Sequence, residues 1–467
     1  MLAEGRLGDM GTDADAIEFG TDGWRATLDV FTTPRVRMVG QAVATYLDGD
    51  GPVAVGYDAR DSSRGFAEDL ARTLAGNGIE VLLSERDCPT PVVGWAVRDH
   101  DLAGALMVTA SHNPPNYNGV KFIPEGGAPA LPEVTDRLEE LLAEPETVPE
   151  LDHGSVSETD FVEPYLEHVL EFVDADLSGL TIAYDAMHGS GRDVTGDLLE
   201  RAGADVIELR CERDPEFGGT PPEPEADRLH DLIETVTEGE ADLGIANDGD
   251  ADRISVVTPE EGFLDPSLQY AVLYEYLLED GSGPAVRTVS TSSILDKVAR
   301  AHGEEVFETA VGFKWVAQAM EDYDALMGGE ESGGFGITSH LRNKDGVLIA
   351  LLAAAAEAER PIDDRIAEIH DEHGHVFQDR ISVACPDARK DGVLEELDGA
   401  LPDELAGAAV ASVNTVDGFK ITFEDDTWVL VRPSGTEPKL RVYAEADSPE
   451  RVEALLDAGR DLVEPLV

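Results

Sequence analysis

Short apolar runs recur along the chain, and most of them end in a polar loop before an amphipathic helical pattern begins. Residues 52–58, Pro-Val-Ala-Val-Gly-Tyr-Asp, read as a strand, 59–64 as a loop, 65–77 as a helix and 79–84 as a returning strand. The pattern repeats at 180–185, with a helix to about Ala202 and a strand at 205–209, and again at 285–290, with a helix at 294–301 and a strand at 305–307. Each is a βαβ unit of about 30 residues, which predicts a parallel pairing with a crossover helix. A further helix is expected near 35–48, and apolar strands at 102–108 and 241–246. From about Val376 the character changes to strands at 380–383, 418–423, 428–431 and 440–444 with two helices. The expected fold class is therefore α/β, three similar mixed α/β sheet domains followed by a smaller C-terminal α+β domain. Linker-like stretches at 143–157, 258–262 and 360–375 suggest domains at 1–152, 153–257, 258–372 and 373–467.

Composition narrows the function classes. The chain carries 97 Asp and Glu against 34 Lys and Arg, a formal charge of −63, and such a surface excludes nucleic acid and anionic membranes as partners. With 42% hydrophobic residues and the charge spread throughout, disorder is the wrong explanation. A halophile's cytosol fits better, because at molar salt the Debye length falls to ~3 Å and the self-repulsion is screened. No run is apolar for 18 residues, and Glu4, Asp9, Asp13, Asp15 and Glu18 argue against a secretory leader. Cys88, Cys211 and Cys385 are odd in number and far apart, as expected of reduced cytoplasmic thiols. Only seven of the basic residues are lysines; Lys121, Lys314 and Lys439 fall inside the motifs below, and Lys344 follows one of them by eight residues.

The first motif is Val108-Thr-Ala-Ser-His-Asn-Pro114, continuing to Lys121. Its turn residues place Ser111 on a loop past the carboxyl end of a strand, where ligands bind in open α/β sheets. The second is Asn247-Asp-Gly-Asp-Ala-Asp-Arg253: Asp248, Asp250 and Asp252 alternate, so all three carboxylates can face one side and make a hard-oxygen site for Mg²⁺. A calcium EF-hand loop fails here, since Arg253 stands where glycine is needed and Pro259 where glutamate is needed. Arg253 suits a phosphate oxygen. The third pairs Thr309-Ala-Val-Gly-Phe-Lys-Trp315 with Gly328-Gly-Glu-Glu-Ser-Gly-Gly-Phe-Gly336, where Glu330 and Ser332 suit the vicinal hydroxyls of a sugar. The fourth is Arg432-Pro-Ser-Gly-Thr-Glu-Pro-Lys-Leu-Arg441: Ser434, Gly435 and Thr436 offer hydroxyls and backbone N–H groups, and Arg432 and Arg441 supply forked donors for a phosphate. No Walker loop is present, and Gly189-Ser-Gly191 does not complete a dinucleotide fingerprint.

With these four motifs in this order, the chain resembles the α-D-phosphohexomutase family, the phosphoglucomutases and phosphomannomutases, over essentially everything after residue 17. The resemblance implies four domains around a central cleft, each lending one loop, and, with the composition, a halophilic archaeal source. It makes Ser111 a phosphoserine and has Asp248, Asp250 and Asp252 hold Mg²⁺ together with a phosphate oxygen on Ser111. Glu330, Ser332, Lys314 and Lys344 become substrate-binding, and Arg432, Ser434, Gly435, Thr436 and Arg441 bind the phosphate distal to the reacting one. The expected activity interconverts hexose 1-phosphate and hexose 6-phosphate through a hexose 1,6-bisphosphate, in a monomer or weak dimer. Arg25 and Arg253 would stabilise charge, with either Lys121 or His112 as general base, Lys121 through a lowered pKa and His112 otherwise orienting Ser111. Gly334, where relatives of broader or glucosamine specificity often carry histidine, and Glu331, where the glucosamine type usually has Gln, count against glucosamine without deciding glucose against mannose; glucose phosphate is the leading expectation. Phosphomannomutase, phosphoglucosamine mutase and a Mg²⁺-dependent sugar phosphatase are the alternatives, and a non-catalytic sugar-phosphate binder would have lost Ser111 or the aspartates.

Overall fold

The computed structural model describes residues 13–399, 401–435 and 437–467. The chain forms two compact units, one running through Leu264 and including Gly333–Pro361, the other made of Asp265–Ser332 and Ile362–Val467. The contiguous block 258–372 expected as one domain is thus divided between the units; the four-way boundaries stay a proposal.

The first unit holds two mixed sheets. One has the order β1(Trp24–Thr27), β5(Tyr117–Pro124), β4(Gly104–Val108), β2(Val53–Tyr57), β3(Val81–Ser84), β6(Val156–Thr159). Strands β2, β3, β4 and β6 are parallel, as the βαβ pattern requires, whereas β5 returns antiparallel to β4 and carries β1 on its far edge. Strands β2 and β4 are buried along their whole length, which is why they read as continuous apolar runs rather than alternating ones. The helices Thr33–Leu47 and Ser63–Gly76 pack against each other and over this sheet, with Val39, Val43, Leu70 and Leu74 fully buried between them. The second sheet runs β11(Gly262–Phe263), β10(Ile254–Thr258), β9(Leu243–Asn247), β7(Thr181–Asp185), β8(Asp205–Leu209). Its parallel core β8, β7, β9 ends in an antiparallel hairpin, β9 to β10. In both sheets the antiparallel turn follows the last buried parallel strand, and that turn carries the polar motif.

In the second unit β12(Ala285–Thr288) is flanked in parallel by β13(Val306–Thr309) and β14(Met327–Gly329), matching the third βαβ pattern. The short strand β15(Phe335–Ile337) lies in the first unit. The C-terminal sheet is antiparallel throughout: β16(Phe377–Ala384), β21(Lys439–Ala446), β20(Trp428–Pro433), β19(Phe419–Phe423), β18(Ala408–Asn414), β17(Glu404–Leu405). Strands β17 and β18 were not expected from the sequence, because the exposed side chains of β18 break its alternation. The helix Pro449–Val463 covers this sheet through Val452, Leu455, Leu456 and Val463.

Among the described residues no helix is long and apolar enough to cross a membrane, and all three cysteines are unpaired. With 97 acidic residues on such a frame, self-repulsion opposes compactness and salt screens it. The melting temperature is expected to rise between dilute and molar KCl, and activity to fade below a few tenths molar; a melting temperature indifferent to salt would contradict this.

Candidate active site

The loop between β4 and β5 is where the local sequence departs most from relaxed geometry. Ser111 has φ of 50°, the left-handed region that costs a non-glycine residue about 1 kcal/mol or more, and it is fully buried. Its N–H donates to Thr109 Oγ1 at 2.8 Å, and its carbonyl accepts from Arg60 Nη2 at 2.8 Å. Arg60 shapes the whole loop: it also donates to the carbonyls of Asn113, Pro114 and Tyr117, while its Nε pairs with buried Asp58. Sequence reasoning passed over Arg60. Its signal was Asp58 and Arg60 two apart after an apolar strand, an arrangement that seats a buried guanidinium on its own counter-ion.

Ser111 Oγ donates to Asp248 Oδ2 at 2.7 Å and lies 3.2 Å from His112 Nδ1. The β9–β10 turn presents Asp248, Asp250 and Asp252, all buried, with one oxygen of each within 4.8 Å of the others. Glycines allow this approach: a Cβ on Gly249 would stand 2.5 Å from the Ser111 carbonyl oxygen. The rejected Gly189-Ser-Gly191 turn supports the same loop, with Ser190 N–H donating to the Gly249 carbonyl at 3.0 Å. Burial, together with Asp250 and Asp252, pushes the Asp248 carboxyl well above the usual carboxylate range. Asp250 is also buried, but Lys121 and Lys344 hold it low. Asp250 Oδ1 and Asp252 Oδ1 are buried without a hydrogen-bond partner. Orphaned oxygens and mutual repulsion are what a hard divalent cation relieves, so the donor set fits a metal.

Lysines converge on the same aspartates. Lys121 Nζ lies 3.0 Å from Asp250, 2.9 Å from Asp252 and 2.9 Å from Asp22. It stands on β5 opposite Met107, not on the Ser111 loop as expected. The lowered pKa expected of it is not found either: burial favours the neutral amine, but the three carboxylates together outweigh it and hold Lys121 well above its ordinary value. Lys344, grouped with the sugar loop from sequence, sits instead 2.8 Å from Asp252 and 3.4 Å from Asp22. Its neighbour Asp345 caps the helix Gly346–Glu359 and accepts from Tyr165 at 2.7 Å, which fixes the lysine's backbone. Asp22, unnoticed in the sequence, gathers Lys121, Lys344 and Arg25 on one oxygen; burial opposes its ionisation, but these cations hold its carboxyl well below the usual range. Arg25 Nη1 also reaches Asn113 at 3.4 Å, and Arg253 Nε stands 3.9 Å from Asp252. Burial, then Arg253 and Arg25, lower the pKa of His112, so its ring is neutral at pH 7.

The remaining candidate residues lie in the second unit. Glu330 Oε1 accepts from Gly312 N–H at 3.1 Å, Ser332 is half-buried beside it in sequence, and Lys314 Nζ lies 5.9 Å from the Trp315 ring centroid. Glu331 is held by Ser290 at 2.7 Å and Thr288 at 2.9 Å. Arg432 and Arg441 are directly opposite on β20 and β21. Arg432 pairs with Asp417 at 2.9 Å and Arg441 with Glu437 at 3.2 Å. The N–H of Ser434 does not serve as a free donor as expected, because it closes the hairpin onto the Lys439 carbonyl at 2.9 Å. Buried Lys390 braces the turn through the Ser434 and Glu437 carbonyls. Gly435 faces open space, and Thr436 lies outside the described residues.

Comparison with known proteins covers the same ground. Family models for phosphoglucomutase/phosphomannomutase alpha/beta/alpha domains I, II and III match residues 16–148, 163–262 and 265–373, and that for the C-terminal domain matches 381–462. A Methanopyrus kandleri protein named "Probable phosphoglucosamine mutase" is 36% identical over 451 residues, 95% of this chain and 97% of its own. A Thermococcus kodakarensis protein named "Phosphoglucomutase/phosphomannomutase" is 32% identical over 457 residues, 96% and 98% of the two chains. A crystal structure from Thermus thermophilus is similar at TM-score 0.83 and 34% identity, covering 96% of this chain and 99% of that one.

Proposed function

Because the chain belongs to the phosphoglucomutase/phosphomannomutase family, we propose that it interconverts hexose 1-phosphate and hexose 6-phosphate through a phosphoserine at Ser111. The observation that carries this reading is the buried Ser111 Oγ set 2.7 Å from a carboxylate of a three-aspartate cluster ringed by cations. In the forward half the sugar hydroxyl attacks the phosphorus on Ser111; the P–O bond to serine breaks, one to the sugar forms, and the hydroxyl's proton ends on Ser111 Oγ. In the return half Ser111 Oγ attacks the other phosphate of the hexose 1,6-bisphosphate, the P–O bond to that sugar oxygen breaks, and the proton from Ser111 returns to the sugar oxygen. His112 Nδ1 and Asp248 are the groups within hydrogen-bond distance of that proton. A Mg²⁺ held by Asp248, Asp250 and Asp252 would neutralise charge on the transferring phosphoryl group. Lys121, Lys344, Arg25 and Arg253 supply fixed positive charge in the same place, and Asp22 keeps three of those cations converged.

For the sugar, we place glucosamine phosphate ahead of glucose phosphate. The relatives' names point that way, and the two residues that counted against glucosamine have other duties: Glu331 is occupied by Ser290 and Thr288, and a Cβ on Gly334 would strike the Lys344 stem at 2.5 Å. Mannose or glucose phosphate is the second reading, supported by the Thermococcus relative's name. The test is kcat/KM for the 1-phosphates of glucosamine, glucose and mannose in high salt, with free phosphate followed in parallel. Release of phosphate without isomer would sink the mutase reading in favour of a phosphatase, and a preference for glucose would reverse the sugar order.

A further inference from the structure

Two arginines directly opposite each other on neighbouring antiparallel strands repel, and such a pair persists only where something holds it. Arg432 is held by a residue outside every motif. Asp417 Oδ2 accepts from Arg432 Nε at 2.9 Å and, on the same oxygen, from Val311 N–H at 3.1 Å. The hydrogen bond to Asp417 is donated by Nε, so the carboxylate does not use the two terminal nitrogens of the guanidinium. The approach is built into the backbone: Gly418 has φ of 84°, and a Cβ there would lie 2.2 Å from the Val431 carbonyl oxygen and 2.8 Å from Arg432 Cα. Only glycine lets the 417–418 turn press against Arg432 this closely. The other end of the link is the turn before the helix Phe313–Asp322, where Val311 N–H goes to Asp417 and the next N–H, of Gly312, goes to Glu330. One carboxylate therefore joins the arginine of the C-terminal hairpin to the turn on which Glu330 is seated.

We propose that Asp417 is a positioning residue: it aims Arg432 at the substrate's non-reacting phosphate and ties that arginine to the sugar-recognition turn. The proposal rests on the mutase reading, and on Arg432 binding phosphate within it. On charge alone, removing a carboxylate beside a phosphate site would tighten substrate binding. On positioning it weakens it, so the sign of the change separates the two roles.

The test uses Asp417→Asn, which keeps an oxygen acceptor for Val311 N–H but loses the charge that fixes Arg432, alongside Arg432→Ala and the double variant, all in the full chain. For the best hexose phosphate, Asp417→Asn is expected to raise KM about 10-fold with kcat within about 2-fold and an unchanged melting temperature. Arg432→Ala is expected to raise KM roughly 10- to 150-fold, and the double variant to match Arg432→Ala, because Asp417 acts through that arginine. An unchanged or lowered KM in Asp417→Asn, with KM raised in Arg432→Ala, overturns the role of Asp417 and leaves the phosphate loop standing. Additive effects in the double variant also overturn it. An unchanged KM in Arg432→Ala overturns the phosphate loop and Asp417 together.

Discussion

Ser111→Ala is expected to lower mutase turnover by at least ~10³-fold, since it removes the covalent carrier and not merely a binding contact. In the proposed mechanism the Ser111 oxygen breaks and re-forms the bond to phosphorus, and no other hydroxyl is within hydrogen-bond distance of both Asp248 and His112 among the described residues. The fold should survive. The backbone of residue 111 is fixed by Thr109 and Arg60 through its N–H and carbonyl, neither of which the substitution touches. Loss of the Oγ hydrogen bond costs about 1 kcal/mol. Intact mass should show one phosphate on the wild type after incubation with hexose bisphosphate and none on the variant. Turnover persisting in a folded Ser111→Ala protein would end the phosphoserine mechanism.

Asp250→Asn carries the second large effect, about 10²–10³-fold in turnover, by taking one charged ligand out of the carboxylate cluster. Its readout need not be activity. In metal-free protein two consequences oppose each other: Lys121 loses one of three partners, while repulsion toward Asp248 is relieved, so stability should move little. When Mg²⁺ is added the two proteins should diverge. A ligand that binds only the folded state stabilises it by about 2.7 kcal/mol at 100 times its Kd, so the wild-type melting temperature should climb with Mg²⁺ and the variant's should not. Equal climbs in both proteins would show that the three aspartates are not the metal site.

Periodicity alone located the three βαβ units, because buried parallel strands must be apolar and their helices must bury one stripe; strands β2, β7 and β12 begin within about a residue of expectation. The chain's order of motifs was equally legible, since glycines and prolines mark the turns and the aspartates alternate along one of them. Strand β18 was not legible, being an exposed strand whose pairing with β19 supplies the stability its side chains do not signal. The electrostatics of the site were hidden too. Lys121 looked like a base because a lysine among cations loses its proton, and only folding brought Asp22, some hundred positions earlier in the chain, to within 2.9 Å and reversed the sign. Arg60, Asp22 and Asp417 act through partners 51, 99 and 15 residues away. What the sequence determined was which loops are polar and where each stands on its own sheet, since those are local consequences of turn chemistry and burial. What tertiary structure decided was which charges meet, because a pairing energy depends on distances that no spacing along the chain encodes.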